Sequence, residues 1–223
     1  MTAGPERPQA PERGDEKLAE RVRALEEELA RAKAELAREQ ELRAAAEKRL
    51  GLDYLTGAAN RGAFDAEFDR LLGMVRGDVP EHRAGAAPLA AVSLILIDLD
   101  YFKRINDTHG HPAGDEVLRT VVALLKDSFR DHEMDVVARV GGEELAVLMA
   151  GANEEIAARK VEKVRAAIAA ATFAEYPKLA VTASFGIAST NHAPDAATLY
   201  RYADAALYEA KEGGRDRAVV YHP

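Results

Sequence analysis

The chain contains no cysteine, no tryptophan and no long apolar run. The lack of cysteine excludes disulfides, thiol nucleophiles and thiolate metal sites, and it predicts a reducing, cytoplasmic location. No segment reaches the roughly 20 consecutive apolar residues that a membrane-spanning helix needs, and no signal-peptide pattern opens the chain. We therefore expect a globular protein without a membrane span.

An excess of basic charge is also missing, because 38 acidic residues stand against 30 lysines and arginines, for a formal charge of −8. A nucleic acid polymer is bound through a basic face, so this composition excludes it as a partner. A small anionic substrate would need local basic residues and a metal ion instead. The 223 residues suffice for one domain of about 170 residues with its own core, plus an extension.

Two segments with different compositions precede the globular part. Residues 1–16 combine proline, glycine and charge without an apolar face, which predicts a disordered tail. Residues 17–51 are rich in Ala, Glu, Leu, Arg and Lys, and their apolar residues follow steps of four and three up to Leu36, beyond which the register becomes irregular. This spacing predicts a coiled-coil helix that pairs two chains into a homodimer, and the alternative is a single solvated helix packed on its own domain. The residues of the seam are Leu18, Val22, Leu25, Leu29, Ala32 and Leu36.

An acidic bend lies between two strand-like runs in the middle of the chain. Residues 139–145 read Arg-Val-Gly-Gly-Glu-Glu-Leu, and a Gly-Gly pair between apolar runs predicts a β-hairpin. Gly141 and Gly142 allow a ligand to approach the backbone closely, whereas Glu143 and Glu144 offer hard oxygen ligands to a cation such as Mg²⁺. The alternative is a solvated acidic turn.

A second acidic site follows the aliphatic run of residues 94–97. This run is typical of a strand buried on both faces, and it leads directly into Asp98. We expect Asp98 to emerge at the end of the strand, where the hairpin brings Glu143 within a few ångströms and a divalent-metal site forms. For Asp98 and Asp100 the alternative role is that of a helix N-cap.

Two further groups of residues have the chemistry of nucleotide recognition. Residues 106–115 read as a polar loop that leads into a helix over 114–129, and the Asn106 amide and Asp115 carboxylate complement a guanine edge. Taken separately, each is typical of a turn or cap. Lys211 and Arg215 can bind phosphate, or they can simply favour a helix C-terminus that Gly213 ends.

Five segments, in order, carry a resemblance to a known family: residues 53–61, 98–115, 141–145, 181–188 and 210–215. Over residues 52 to 221 the sequence resembles the GGDEF family, the diguanylate cyclases. Alternating helices and strands with an inserted hairpin already indicate a mixed α/β sandwich. The resemblance implies that residues 52–223 form a ferredoxin-like or nucleotidyl-cyclase palm domain, with a central, mainly antiparallel sheet flanked by helices.

The resemblance also implies a reaction in which two GTP molecules, one on each of two subunits, condense to cyclic di-GMP and two pyrophosphates. It implies two Mg²⁺ ions per active site, with Mn²⁺ as an alternative, held by Asp98, the carbonyl of Leu99 and Glu143. Glu143 would also accept the proton of the attacking 3′-hydroxyl, and Glu144 would be a supporting catalytic acid. The implied substrate-binding residues are Lys103, Asn106, His111, Asp115, Gly141, Gly142, Lys211 and Arg215.

The motif that the family uses for product inhibition is incomplete in this chain. His132 occupies the position of its arginine, although Asp135 is present. A neutral histidine cannot grip a phosphate as a guanidinium does, so we predict weak or absent feedback inhibition unless Arg130 substitutes. Inhibition of the initial rate by sub-micromolar cyclic di-GMP would contradict this prediction.

One departure from the family pattern lies in the signature itself, where Leu145 replaces the usual phenylalanine. We expect this side chain to point into the sheet core, so that activity survives. Two other functions remain open. The first is a catalytically silent receptor or scaffold for GTP or cyclic di-GMP, and the second is a coiled-coil adaptor with a docking domain.

Overall fold

The computed structural model describes residues 13–78, 89–129, 134–193 and 195–223. Residues 1–12 of the predicted disordered tail lie outside these ranges. Arg130 and His132, which the prediction of weak product inhibition concerns, also lie outside them. The chain divides into two units, Met1–Ala46 and Glu47–Pro223. None of the helices in the described ranges has the length and hydropathy required to span a bilayer.

The first long element is helix α1, Arg13–Leu50, whose 38 residues correspond to about 57 Å of helix. The helix begins at Arg13 rather than at the predicted Lys17, because residues 13–50 contain no proline and acidic residues in the first turn favour the helix N-terminus. Residues 13–16 are therefore helical and not part of a disordered tail. Leu18, Val22, Leu25, Leu29 and Leu36 are between 45% and 65% exposed, so the apolar stripe is open along the single helix.

In the described ranges, six strands form one sheet in the order β1-β3-β4-β2-β5-β6. The inner ladders β3/β4, β4/β2 and β2/β5 are antiparallel, and the outer pairs β1/β3 and β5/β6 are parallel. The prediction of a mainly antiparallel central sheet flanked by helices is therefore confirmed. The strands are β1 Ala59–Asn60, β2 Val92–Leu99, β3 Val136–Arg139, β4 Glu144–Ala150, β5 Ala183–Ser189 and β6 Ala218–Val220.

Five helices cover the two faces of the sheet. Successive residues of β2 alternate between two apolar layers, since Ile95 and Ile97 pack with α3, α4 and α5, whereas Leu94 and Leu96 pack with α2 and α6. This double burial explains the uninterrupted aliphatic run. Leu145 is fully buried, as expected for a signature residue that points into the core. The helices are α2 Arg61–Arg76, α3 Phe102–His109, α4 His111–Ser128, α5 Glu154–Ala169 and α6 Ala196–Glu212.

Side-chain caps begin three of these helices. Asn60 accepts a hydrogen bond from Ala63 N at 2.9 Å at the start of α2. Asn153 and Asp195 are typical N-cap residue types, so the sequence predicts that α5 and α6 start beside them. Both predictions are confirmed, because Asn153 accepts from Ile156 N and Asp195 accepts from Thr198 N. Each cap satisfies a backbone donor that the helix cannot pair.

Residues 106–115 do not form the predicted polar loop. Residues 102–109 are helix α3, and α4 begins at His111 rather than at Gly114, so that only Gly110 separates the two helices. Gly110 adopts a φ of 83° that reverses the chain, and Pro112 fits the first turn of a helix because its fixed φ is already helical. The polar residues therefore lie on two short-linked helices.

Two smaller predictions are also wrong. Asp100 is not an N-cap, because α3 is preceded by Tyr101 and has no side-chain cap. The alternating pattern of residues 179–188 predicts a strand that starts at Leu179. The strand starts at Ala183 instead, because the preceding chain turns: Leu179 N donates to the carbonyl oxygen of Tyr176 at 2.9 Å. The alternating pattern continues through the turn, so it predicts a longer strand than the chain forms.

Candidate active site

Asp98 lies inside the central strand and not beyond its end, because the ladder continues to Leu99. It is opposite Glu144 on β4 and opposite Ser184 on β5. The Nζ atom of Lys211, from the last turn of α6, lies 2.8 Å from Asp98 Oδ2. The structure thus brings the end of β2, the start of β4 and the C-terminus of α6 together at one edge of the sheet.

Glu143 belongs to the same cluster, and its surroundings raise the pKa of its carboxyl above the ordinary value of 4.5. Burial is the main cause, followed by the negative charge of Asp98, while Lys211 acts in the opposite direction and Glu144 adds to the rise. The carboxylates of Asp98 and Glu143 are therefore close enough for their charges to interact. Because one ammonium group stands among three acids, an additional cation would stabilise the cluster.

The donor atoms of this cluster fit Mg²⁺. In the described part of the chain, no group of three or more His, Asp or Glu side chains is arranged to hold a metal ion. The predicted ligands are two carboxylates, Asp98 and Glu143, with the backbone carbonyl of Leu99. Such a set consists of hard oxygens alone and leaves positions for water and phosphate oxygens, which is how Mg²⁺ is usually bound in proteins.

The bend that carries Glu143 is the predicted hairpin, since β3 and β4 pair antiparallel and Gly141 N donates to the carbonyl oxygen of Glu144. Neither Gly141 nor Gly142 has a positive φ. A Cβ at Gly141 would overlap the carboxylate of Glu144, so a larger residue there would displace this exposed side chain. A Cβ at Gly142 would meet nothing within 4 Å, so this side of the bend is open to a ligand.

Arg139 supports the bend, and the sequence did not single it out. Its guanidinium donates to the carbonyl oxygen of Gly142 through Nε at 3.0 Å and Nη2 at 2.7 Å, and its Nη1 lies 3.2 Å from Asp53 Oδ2. Arg61 Nε adds a 2.8 Å hydrogen bond to the carbonyl oxygen of Val140. In the sequence, Asp53 lies in one segment that resembles the family and Arg139 lies just before another. This position alone does not reveal that the two side chains pair.

The two predicted guanine-binding residues lie on the adjoining helices α3 and α4. Asn106 is half-buried, and its Oδ1 is enclosed without a hydrogen-bond partner among the described residues. A Cβ at Gly114 would overlap this oxygen and crowd the ring of Phe102, so the glycine lets the two helices meet at Asn106. Asp115 follows directly and is also half-buried, whereas His111 is exposed at the start of α4.

Three predicted phosphate-binding residues are distributed over α3 and the end of α6. Lys103 is exposed on α3, and no partner for its side chain is found in the ranges that the structure describes. Lys211 pairs with Asp98. The guanidinium carbon of Arg215 lies 4.8 Å from the centre of the Tyr101 ring, within the range of a cation–π contact. Of these three residues, Lys211 is the one with a direct contact to the acidic cluster.

Comparison with known proteins identifies the family of the chain. The family model for the diguanylate cyclase GGDEF domain matches residues 51–217. The diguanylate cyclase DgcP of Pseudomonas aeruginosa is 38% identical over 169 residues, which cover 75% of this chain and 23% of that protein. The probable diguanylate cyclase DgcT of Escherichia coli is 39% identical over 143 residues, or 62% of this chain and 31% of that protein. The chain thus spans less than a third of these two relatives.

Solved structures match over more of their own length. The coiled coil and GGDEF domain of DgcB from Caulobacter crescentus, in complex with c-di-GMP, aligns with a TM-score of 0.67 and 30% identity, covering 88% of this chain and 99% of that one. The active GGEEF domain of a diguanylate cyclase from Vibrio cholerae aligns with a TM-score of 0.55 and 37% identity, covering 60% of this chain and 84% of that one. The family match includes the acidic cluster, the bend that carries Glu143, and helices α3 and α4. The chain therefore belongs to the GGDEF domain family of diguanylate cyclases.

Proposed function

We propose that residues 52–223 form a cyclase domain that condenses two GTP molecules into cyclic di-GMP. In each half-reaction the 3′-oxygen of one GTP forms a bond to the α-phosphorus of the other, the bond from that phosphorus to pyrophosphate breaks, and the proton of the hydroxyl leaves. Two such transfers close the ring and release two pyrophosphates. The observation that supports this function best is the convergence of Asp98, Glu143 and Lys211 at one sheet edge.

Glu143 and Asp98 have separate roles in this proposal. The carboxylate of Glu143 accepts the proton of the 3′-hydroxyl, a role that its raised pKa favours because it brings the base closer to neutral pH. Asp98, the Leu99 carbonyl and Glu143 would hold the Mg²⁺ ions. The chemistry that bound Mg²⁺ supplies is stabilisation of the negative charge that grows on the phosphate oxygens. Glu144 lies over Gly141 and supports the acidic side of the bend.

The basic residues and the junction of helices α3 and α4 position the nucleotide. Lys211 and Lys103 place point charges near the phosphates, and Arg215 can bind two phosphate oxygens at once through its planar guanidinium. Asn106 is half-buried where α3 meets α4, and its amide donates to O6 or N7 of the guanine. Asp115, one residue after the contact point of the helices, accepts from N1–H and N2–H of the guanine edge. Gly142 on the bend and His111 at the start of α4 complete the proposed substrate-binding set.

Two copies of the chain are needed, because each active site of the proposed reaction joins nucleotides from two subunits. The open stripe on α1 has the four-and-three spacing of a coiled coil, so the partner that we propose for it is a second copy of α1. In this division of the chain, residues 17–51 serve dimerisation and the domain that follows serves catalysis. Joining two domains in this way raises their effective concentration to roughly millimolar.

Removing residues 1–50 should lower the specific activity at nanomolar protein by about tenfold or more, because dimerisation then depends on free collision. Raising the protein concentration should restore much of the loss. The measurement is cyclic di-GMP formed per domain across a dilution series, with mass determined by light scattering. Full-length protein with Leu25 and Leu29 both changed to lysine should behave like the truncated form. Equal specific activity of the wild type, the truncated form and the double lysine variant at nanomolar protein would contradict the role of α1 in dimerisation.

Incubation with GTP and Mg²⁺, followed by chromatography of the nucleotides, tests the proposed activity directly. We expect cyclic di-GMP and pyrophosphate in a ratio of one to two, with parallel reactions in Mn²⁺ to compare the ions. Protein that binds GTP but forms no cyclic dinucleotide at any concentration would instead indicate a receptor. Protein that binds neither GTP nor cyclic di-GMP would indicate an adaptor.

A further inference from the structure

Asp100 is the only buried carboxylic acid in the described ranges, at 4% exposure, and the proposed reaction does not use it. It follows β2 directly and lies two residues from Asp98. An enclosed carboxylate is stable only when its oxygens accept hydrogen bonds, so its partners indicate what it does.

Three donors from distant parts of the chain satisfy Asp100. Ser184 Oγ donates to Oδ1 at 2.7 Å, and Thr182 Oγ1 donates to Oδ2 at 2.7 Å. Asp216 N also donates to Oδ2, at 3.0 Å. Asp100 therefore joins the end of β2, the start of β5 and the turn that follows α6. That turn contains Arg215, which precedes the Asp216 donor.

Backbone strain is concentrated around this carboxylate. In the part of the chain that the structure describes, only three residues other than glycine have a positive φ: Tyr101 at 57°, Arg215 at 64° and Asp216 at 45°. One follows Asp100, one donates to it, and the third lies between that donor and the end of α6. Such conformations persist when surrounding contacts enforce them, and they are frequent at functional sites. Asp216 is held from its other side as well, because Arg165 Nη1 lies 2.9 Å from its Oδ1.

We propose that Asp100 is a positioning residue that fixes the turn of residues 215 and 216 and thereby sets where the Arg215 guanidinium meets the phosphates of GTP. The inference rests on the proposed function, because it takes GTP as the ligand. Asp100 acts through geometry and not as a metal ligand, since both of its oxygens already accept hydrogen bonds from the protein. The cation–π contact of Arg215 with Tyr101 then holds the guanidinium in place.

Two substitutions distinguish a positioning role, which depends on the hydrogen bonds of Asp100, from a role that depends on its negative charge or on metal binding. In Asp100→Asn, the amide oxygen can occupy the Oδ2 position and accept from Thr182 and Asp216, while its NH₂ donates to a rotated Ser184 hydroxyl. Asp100→Ala leaves the Asp216 N–H without an acceptor. We therefore expect the asparagine variant to bind a non-hydrolysable GTP analogue within about threefold of wild type, and the alanine variant to bind it about tenfold more weakly. Binding of GMP should change less, because it carries fewer phosphates.

Titration calorimetry with the analogue and with GMP is the test, with thermal melting as a check on folding. Ser184→Ala, which removes one donor but leaves the Asp216 contact, is the matched control and should bind the analogue as wild type does. In an Arg215→Ala background, Asp100→Ala should have little further effect on analogue binding, because its influence passes through Arg215. Should Asp100→Ala not fold, Asp100→Ser takes its place, since the short hydroxyl cannot reach all three donors.

Several outcomes would overturn the inference. If the asparagine and alanine variants are equally weak, the charge matters and the positioning role is wrong. If Asp100→Ala weakens GMP and analogue binding equally, or if its effect is additive with Arg215→Ala, the defect is general and not directed at the phosphates. Wild-type protein that binds no guanine nucleotide would overturn the proposed function together with the inference. Wild-type binding that Asp100→Ala leaves unchanged would overturn the inference alone.

Discussion

Replacing Glu143 with glutamine should reduce cyclic di-GMP synthesis by about two to three orders of magnitude, because the amide cannot accept the proton of the 3′-hydroxyl and binds a hard cation poorly. The shape of the side chain is retained, so the fold should not change. The measurement is the initial rate of product formation at saturating GTP, compared with wild type at the same concentration of dimer.

Stability gives an independent check on this substitution. Burial and the charge of Asp98 raise the pKa of Glu143 above its ordinary value. When the pKa of an acid is higher in the folded state than in the unfolded state, the free energy of unfolding falls as the pH rises through the folded-state pKa. Ionised Glu143 therefore destabilises the folded protein at neutral pH. Glu143→Gln should therefore melt at the same temperature as wild type or slightly above it. Glu175→Gln, at an exposed position, is the control and should leave activity unchanged. Full activity of Glu143→Gln would refute the catalytic assignment.

Gly186→Ala should destabilise the domain strongly, although it adds only one methyl group. Gly186 lies in β5 where α6 crosses closely, and a Cβ there would overlap the carbonyl oxygen of Ala203 and approach Leu207 Cβ to 2.7 Å. Backbone atoms of a packed helix cannot give way locally, so α6 must move. Overpacking of this kind costs about 3 kcal/mol, which corresponds to a drop of roughly 10 °C in melting temperature.

A glycine-to-alanine substitution at Gly62 is the control for Gly186→Ala. A Cβ at Gly62, in the first turn of α2, would meet only Asn60 Oδ1, at 3.5 Å. Gly62→Ala should therefore melt at or slightly above the wild-type temperature, because alanine favours the helix. Calorimetry of both variants tests the comparison. A Gly186→Ala protein that is as stable as Gly62→Ala would show that α6 does not constrain this position.

Local patterns predicted the elements well wherever one principle decides. The run at residues 94–97 indicated a strand buried on both faces, and Asn153 and Asp195 marked two helix starts. The patterns failed where two signals compete. Pro112 and the glycines on either side of it favoured a loop, yet tertiary packing made the segment helical on both sides of Gly110. A two-residue strand such as β1 has no periodicity to detect.

The candidate site could be predicted only residue by residue. Family resemblance placed Asp98, Glu143 and Lys211 in one site, but no local pattern shows which atoms meet. Arg139 contacts Asp53 from 86 positions away, and Asp100 accepts a hydrogen bond from Asp216 across 116 positions. Contacts at such separations depend on the order of strands in the sheet, which a single sequence does not encode locally.

The alternation of β2 between two helical layers makes the length of this strand critical. Asp98 has the same parity as Leu94 and Leu96, the residues that face α2 and α6, and this parity agrees with its contact with Lys211 on α6. Inserting or deleting one residue upstream in the strand would turn the carboxylate toward the opposite layer while exchanging every aliphatic side chain between the two cores. Indels in this segment would thus remove the proposed metal site and folding together, whereas point changes could separate them.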